Sequence, residues 1–101
     1  MIEMLVRKRK PTHPGGIIKR QYLEPLHLTI TEVAEDLGIS RKTLSKIING
    51  NGSITADMAL RLSKAFNTSA ELWLNLQTNY DLWVAAHSSR DWRGVKTLIS
   101  A

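Results

Sequence analysis

Residues 29–49 read Thr-Ile-Thr-Glu-Val-Ala-Glu-Asp-Leu-Gly-Ile-Ser-Arg-Lys-Thr-Leu-Ser-Lys-Ile-Ile-Asn. The spacing predicts two short helices joined by a tight turn. Thr29 and Glu32 stand at capping-box distance, so the first helix is expected to start there. Val33, Ala34 and Leu37 then share one helical face. Ala34 is small where a second helix has to cross closely. Gly38 falls where the turn needs a positive φ, which glycine adopts without steric cost. Ile39 is expected to plug the turn from inside. Ser40 is a good N-cap for the next helix. Leu44, Ile47 and Ile48 supply the inward face of that helix, and Arg41, Lys42, Ser45 and Lys46 its outward face. An αα-hairpin of an ordinary bundle shares single features of this stretch. The combination of small residue, glycine four positions on, spaced core residues and a basic outward face reads as a helix-turn-helix.

The totals around this stretch narrow the possibilities. A length of 101 residues allows one compact domain and little more. The chain has no cysteine, which excludes disulfides and thiolate metal sites and suits a reducing cytoplasm. A net charge of +5 favours an anionic partner, and the clustering says more than the total. Arg7, Lys8, Arg9, Lys10, Lys19 and Arg20 crowd the first twenty residues. Glu24, Glu32, Glu35 and Asp36 follow with no cation among them, and Arg41, Lys42 and Lys46 restore the positive sign. No apolar run approaches the ~18 residues of a membrane span. The basic N-terminus lacks the apolar stretch of a signal peptide, so none is expected.

Residues 1–13 read as a basic N-terminal arm, either touching phosphate through its 7–11 run or simply solvated. His13 has no partner at metal-ligand spacing and reads as a loop residue. Pro14 suits the first position of a helix over about 14–23, although Gly15 and Gly16 weaken its first turn. Ile17, Ile18, Tyr22 and Leu23 give that helix an apolar face, and Pro25 stops it. His27 lies in a connector. After Asn49, the Gly50-Asn51-Gly52-Ser53 run is a loop of residues that tolerate positive φ. Thr55 is placed to cap a fourth helix with Met58, Ala59, Leu62, Ala65 and Phe66 as its stripe and Arg61 and Lys64 outward; Asn67 ends it. Thr68 and Glu71 repeat the capping-box spacing, and a fifth helix runs to about residue 86. Leu72, Leu76, Tyr80, Trp83, Trp73 and Val84 span an arc of roughly 120° on it, wide enough for a core face. Leu74, Leu82 and Ala85 form a second apolar seam. With part of the Trp73 or Trp83 ring, this seam is expected either to make a homodimer or to pack under the tail. Residues 14–86 thus form the helix-turn-helix domain with a dimerisation helix at its end. Residues 87–101 form a tail in which Trp92, Val95, Leu98 and Ile99 have helix-compatible spacing. The fold class is all-α, with five helices.

No catalytic constellation is present in the sequence. Glu32, Glu35 and Asp36 lack an obvious basic or nucleophilic partner, the three histidines are scattered, and no phosphate-cradling loop opens a helix. No enzyme activity, metal or cofactor is expected. Double-stranded DNA is the expected partner, because the second helix of such a motif enters the major groove. Arg41, Lys42, Ser45 and Lys46 are the candidate base contacts, since Arg and Lys donate well to guanine. Ser40, Thr43, Asn49 and Asn51 are better placed for phosphates, which position the protein without reading sequence. Duplex RNA fits poorly, because its narrow groove excludes a helix. A pure protein-interaction module with a vestigial motif is the rival reading, and the basic face argues against it.

Four phrases carry a resemblance to a known family: Arg9-Lys10-Pro11-Thr12-His13-Pro14-Gly15, Ser40-Arg41-Lys42-Thr43-Leu44-Ser45, Met58-Ala59-Leu60-Arg61-Leu62-Ser63-Lys64-Ala65-Phe66, and Trp73-Leu74-Asn75-Leu76-Gln77. Over about residues 7–86 the chain resembles HigA/VapI-type antitoxins. The resemblance implies a phage-repressor-like (XRE) fold and a cytoplasmic dimer that represses its own operon. It also implies a partner toxin, usually a RelE-like mRNA endonuclease. The alternative is a stand-alone repressor of the same fold. The family has acidic residues after its Pro-Gly and along the first helix, where this chain has Gly16, Lys19, Arg20 and Gln21. That departure bears on the toxin surface, expected at the N-terminal arm and first helix.

Overall fold

The computed structural model describes residues 9–100. Among them are five α-helices: α1 (Pro14–Ile18), α2 (Ile30–Leu37), α3 (Arg41–Ile48), α4 (Ala56–Phe66) and α5 (Ala70–Ser88). A π-helical segment, Lys19–Leu23, prolongs α1, and a 3-10 turn, Asp91–Gly94, follows α5. Arg7 and Lys8 of the basic run lie outside the described residues.

Local chemistry sets the helix boundaries. Thr29 Oγ1 accepts from the Glu32 amide (3.1 Å), and Glu32 Oε1 accepts from the Thr29 amide (3.2 Å), completing the expected capping box. Gly38 ends α2 with φ +72°, in the left-handed region. Ser40 Oγ accepts from the Thr43 amide at 3.0 Å to start α3, and Thr55 Oγ1 accepts from Met58 at 3.2 Å to start α4. Asn67 closes α4 with φ +55°.

Three local expectations need correction. The helix over 14–23 is α-helical only to Ile18 and then widens to five-residue spacing. His13 is not a plain loop residue: its Nδ1 accepts from the Gly15 amide at 2.9 Å and caps α1. The cap of α5 is Ser69, which accepts from Leu72 at 3.1 Å, and not Thr68. Thr68 Oγ1 instead accepts from the Trp73 indole N–H at 2.7 Å, because a buried indole needs an acceptor.

The core lies where α2, α3 and α4 close on α1 and the first turns of α5. Ile18, Leu44, Leu62 and Trp73 are fully enclosed there. Tyr22 stacks on Phe66 at 4.1 Å, and both rings tilt against Trp73 at 6.1–6.2 Å. Gly15 makes this closure possible. A Cβ on it would lie 1.8 Å from the Ile47 carbonyl oxygen, so α1 and α3 meet backbone to backbone.

Only part of the expected core face of α5 is core. Trp73 is buried and Leu76 packs against the cluster, whereas Leu72 is 41% exposed and Tyr80, Trp83 and Val84 are half-buried beyond it. The 19-residue helix outruns the bundle it packs on. Full burial also removes Trp73 from the apolar seam, and Leu74 partly packs inward. Leu82 and Ala85 remain exposed beside a hollow of about 290 Å³ that Ala86 and Trp92 complete. Val95, Leu98 and Ile99 follow in an exposed, non-helical tail.

Candidate nucleic-acid interface

α3 owes its orientation to three supports. Leu44, Ile47 and Ile48 anchor one side in the core. Gly15 lets α1 press on its C-terminal turn. At its N-terminal end, Arg61 on α4 fixes the preceding turn: Nη1 donates to the Leu37 carbonyl at 2.7 Å and to the Gly38 carbonyl at 3.3 Å. These carbonyls end α2 and have no partner within it. Asp57 pairs with Arg61 Nε at 2.7 Å, one turn back along α4. By spacing alone Arg61 is an outward cation of α4. The Asp57–Arg61 spacing was the visible signal, but its reach across to α2 is a tertiary fact.

The face of α3 opposite the core is open. Arg41, Lys42, Thr43, Lys46 and Asn49 are exposed, and Ser45 is half-buried. At ~100° per residue, Lys42, Asn49 and Lys46 form the stripe most directly away from the buried side chains. Arg41 and Thr43 flank this stripe, one on each side. Ser40 is exposed at the helix start, where its Oγ also donates to Thr43 Oγ1 at 2.8 Å. Asn49 Nδ2 lies 3.5 Å from Ser45 Oγ, so the two side chains sit together at the C-terminal end. Of the eight residues expected as base and phosphate contacts, seven are exposed and Ser45 is half-buried, along α3 and just beyond its two ends.

Asn51 belongs to the loop that follows. Its amide donates to the Lys46 carbonyl at 2.8 Å, and the Gly50 amide donates to Ile47 at 3.0 Å. Gly50 takes φ +80°, which turns the chain sharply off the helix. From the far side, the buried Gln77 of α5 accepts the Ile54 amide at 2.8 Å through Oε1 and donates to Asp81 at 2.9 Å through Nε2. The loop is thus pinned at both ends, and its Asn51 side is exposed. Gln77 escaped sequence reading, because a glutamine on a helix ordinarily faces solvent.

The segment just before α1 is attached to α5. Lys10 Nζ lies 5.0 Å from the centre of the Tyr80 ring and 5.8 Å from that of Trp83. His13 meets Tyr80 edge-on at 4.8 Å. Farther along, His87 stacks on Trp83 at 4.0 Å and turns Nδ1 to the Trp83 carbonyl at 2.8 Å. No helix among the described residues is long and apolar enough to cross a membrane.

An all-helical bundle that presents a capped, basic second motif helix defines a helix-turn-helix protein of the phage-repressor-like class. The chain belongs to the helix-turn-helix family, whose pattern covers residues 19–73, and within it to the HigA-type group. It is 48% identical over 82 residues to a protein of Haemophilus influenzae known as an uncharacterized HTH-type transcriptional regulator, covering 81% of this chain and 77% of that one. It is 42% identical over 76 residues to antitoxin HigA-1 of Vibrio cholerae, covering 75% and 71%. Among solved structures, Pseudomonas aeruginosa antitoxin HigA with the higBA promoter superposes with a TM-score of 0.78 at 34% identity, over 88% of this chain and 99% of that one.

Proposed function

We propose that this chain is a cytoplasmic, sequence-specific DNA-binding antitoxin that represses its own operon as a dimer and neutralises a RelE-like toxin. The observation that carries the DNA-binding half is the strip along α3, where Lys42, Asn49 and Lys46 project from a helix held on three sides. That geometry supports a helix laid in the major groove, with Arg41, Lys42, Ser45 and Lys46 toward base edges and Ser40, Thr43, Asn49 and Asn51 toward phosphates. The likeness to a HigA solved with its promoter supports the same reading.

Repression is tested with a duplex taken from upstream of this chain's own coding sequence. Affinity should fall steeply with salt, with a log–log slope of about −0.9 for each phosphate contact. A shallow slope shared with unrelated duplexes would reject sequence-specific reading. The toxin half is tested by tagged pull-down from the native host in mild salt. A stoichiometric small basic protein, toxic alone and harmless when co-expressed with this chain, supports it.

A second reading, a stand-alone regulator, is favoured by one observation. Lys19, Arg20 and Gln21 are exposed on the π-helical segment, where a basic toxin calls for acidic side chains. Recovery of only this chain and DNA in the pull-down favours that reading.

A further inference from the structure

Beside the C-terminal end of α3 the surface is hollowed. The hollow, of about 350 Å³, lies between the π-helical segment, the start of α2 and the last turn of α3. Leu23 and Ile48, both buried, and the half-buried Leu28 give it apolar walls. Lys19 and Asn49, both exposed, border it from different elements. Asn49 also belongs to the outward stripe of α3. The reading face and Lys19 therefore share the edge of one hollow.

The five-residue spacing of the π-helical segment sets this placement. Ile18 and Leu23, five positions apart, are both buried. The Glu24 amide donates to the Lys19 carbonyl at 3.0 Å, so Lys19 and Glu24 stand in line just outside the core. Single π-turns of this kind recur at functional sites. The Lys19 charge is not spent within the protein. Glu24 is the one carboxylate that lines the hollow, and it forms no ion pair with Lys19; the ion pair among the described residues is Asp57–Arg61. Glu32, nearby at the start of α2, has Oε1 on the Thr29 amide. Arg20, the next residue along, is directed elsewhere. A Cβ on Gly16 would lie 3.0 Å from its Nη2 and 3.2 Å from its Nη1, so this guanidinium lies over the first turn of α1. Two adjacent cations thus serve different surfaces, Lys19 beside Asn49 and Arg20 at the start of α1.

A helix laid in the major groove runs between two sugar–phosphate backbones, and the groups around its ends meet them. Asn49 ends α3 and is placed for such a phosphate. An unpaired ammonium across the hollow from it faces the same line of charge, on a stem flexible enough to follow it. We propose that Lys19 is a further DNA-binding residue: its ammonium contacts a backbone phosphate on the Asn49 side of the groove and carries the interface from α3 onto the end of the first helix. This rests on the DNA-binding reading above and adds to it a contact that supplies affinity without sequence information.

The test makes Lys19→Gln and Arg20→Gln separately in the full chain. Each removes one charge and keeps a side chain of similar helix propensity. Both positions are exposed, so circular dichroism and melting midpoints should match the parent. Binding to the duplex from upstream of the coding sequence, and to single-base variants of it, is then titrated against salt. Lys19→Gln should flatten the log–log salt slope by about 0.9, so that the affinity lost between 50 and 200 mM salt shrinks by roughly threefold. The weakening should be the same factor on every duplex. Arg20→Gln, equal in charge removed, should leave the slope in place. An unchanged slope in Lys19→Gln overturns the contact. Equal changes in the two variants also overturn it, because they would assign the effect to net charge acting at a distance. A loss confined to one base variant would make Lys19 a base reader and overturn the phosphate assignment. In all three cases the parent still binds. A parent that binds none of the duplexes overturns the DNA-binding reading itself, and the Lys19 contact with it.

Discussion

Arg61 and Arg41 are both exposed arginines on helices of the bundle, yet the surroundings give them different work. Arg61 spends its guanidinium on the end carbonyls of α2 and on Asp57. Replacing it with methionine keeps much of the stem and removes those donors. About 1 kcal/mol of stability should be lost, a drop of ~4–8 °C in the melting midpoint of a domain this size. An unchanged midpoint would mean that water serves these carbonyls equally well. Arg41 has no such partner within the described residues and flanks the outward stripe. Arg41→Ala should leave the melting midpoint in place, cost ~1–3 kcal/mol in operator binding and relax the preference at one base position. Equal weakening on every duplex would reassign Arg41 to a phosphate. Sequence alone cannot separate these two arginines, because partner carbonyls 23 and 24 residues away leave no mark on local spacing.

At the scale of the element, α2 and α3 were legible almost to the residue. Their caps, turn glycine and inward faces are all set within a few positions of one another. α5 was legible in extent but not in allocation. Its apolar residues run most of the way round the helix, so periodicity could not decide which side meets the bundle. The position of α4 and the reach of α1 decide it, and they take Trp73 and part of Leu74 inward. This changes how a dimer seam is tested. Leu74→Glu would put a charge against the core and risk unfolding the monomer. Leu82, 37% exposed, is the cleaner probe. Leu82→Glu should preserve the helical spectrum and halve the mass seen by light scattering; an undiminished dimer moves the interface elsewhere. The exposed Leu98 and Ile99 of the tail are the next surface to probe in that event.

Across the whole molecule, stability should carry a pH signature from His13. In the unfolded chain this residue takes a proton near the ordinary histidine value of about 6.5. In the fold it takes one only at lower pH, because burial opposes the charge. The unfolded state therefore binds more protons in that window, so stability rises with pH. The contribution is fully present above about pH 6.5 and is lost as pH falls toward the folded-state value. Thermal melts should show the parent losing more than His13→Asn between pH 7 and pH 5; parallel losses would assign the acid sensitivity to other groups. None of this was visible in the phrase Thr12-His13-Pro14. A histidine before a proline gives no local sign that Tyr80, far along the chain on α5, will pack against its ring.

The backbone contact between Gly15 and Ile47 has a consequence for genetics. Every missense change reachable by one base from a glycine codon adds a Cβ, and here any Cβ strikes the Ile47 carbonyl. No flexible side chain stands in between to yield. Position 15 has no tolerated first step, although it is buried and carries no side chain. A screen of random single-base mutants for loss of repression should therefore return Gly15 as often as the residues of the reading face. Conservative second-site changes on α3 should not rescue it, since the obstacle is main chain.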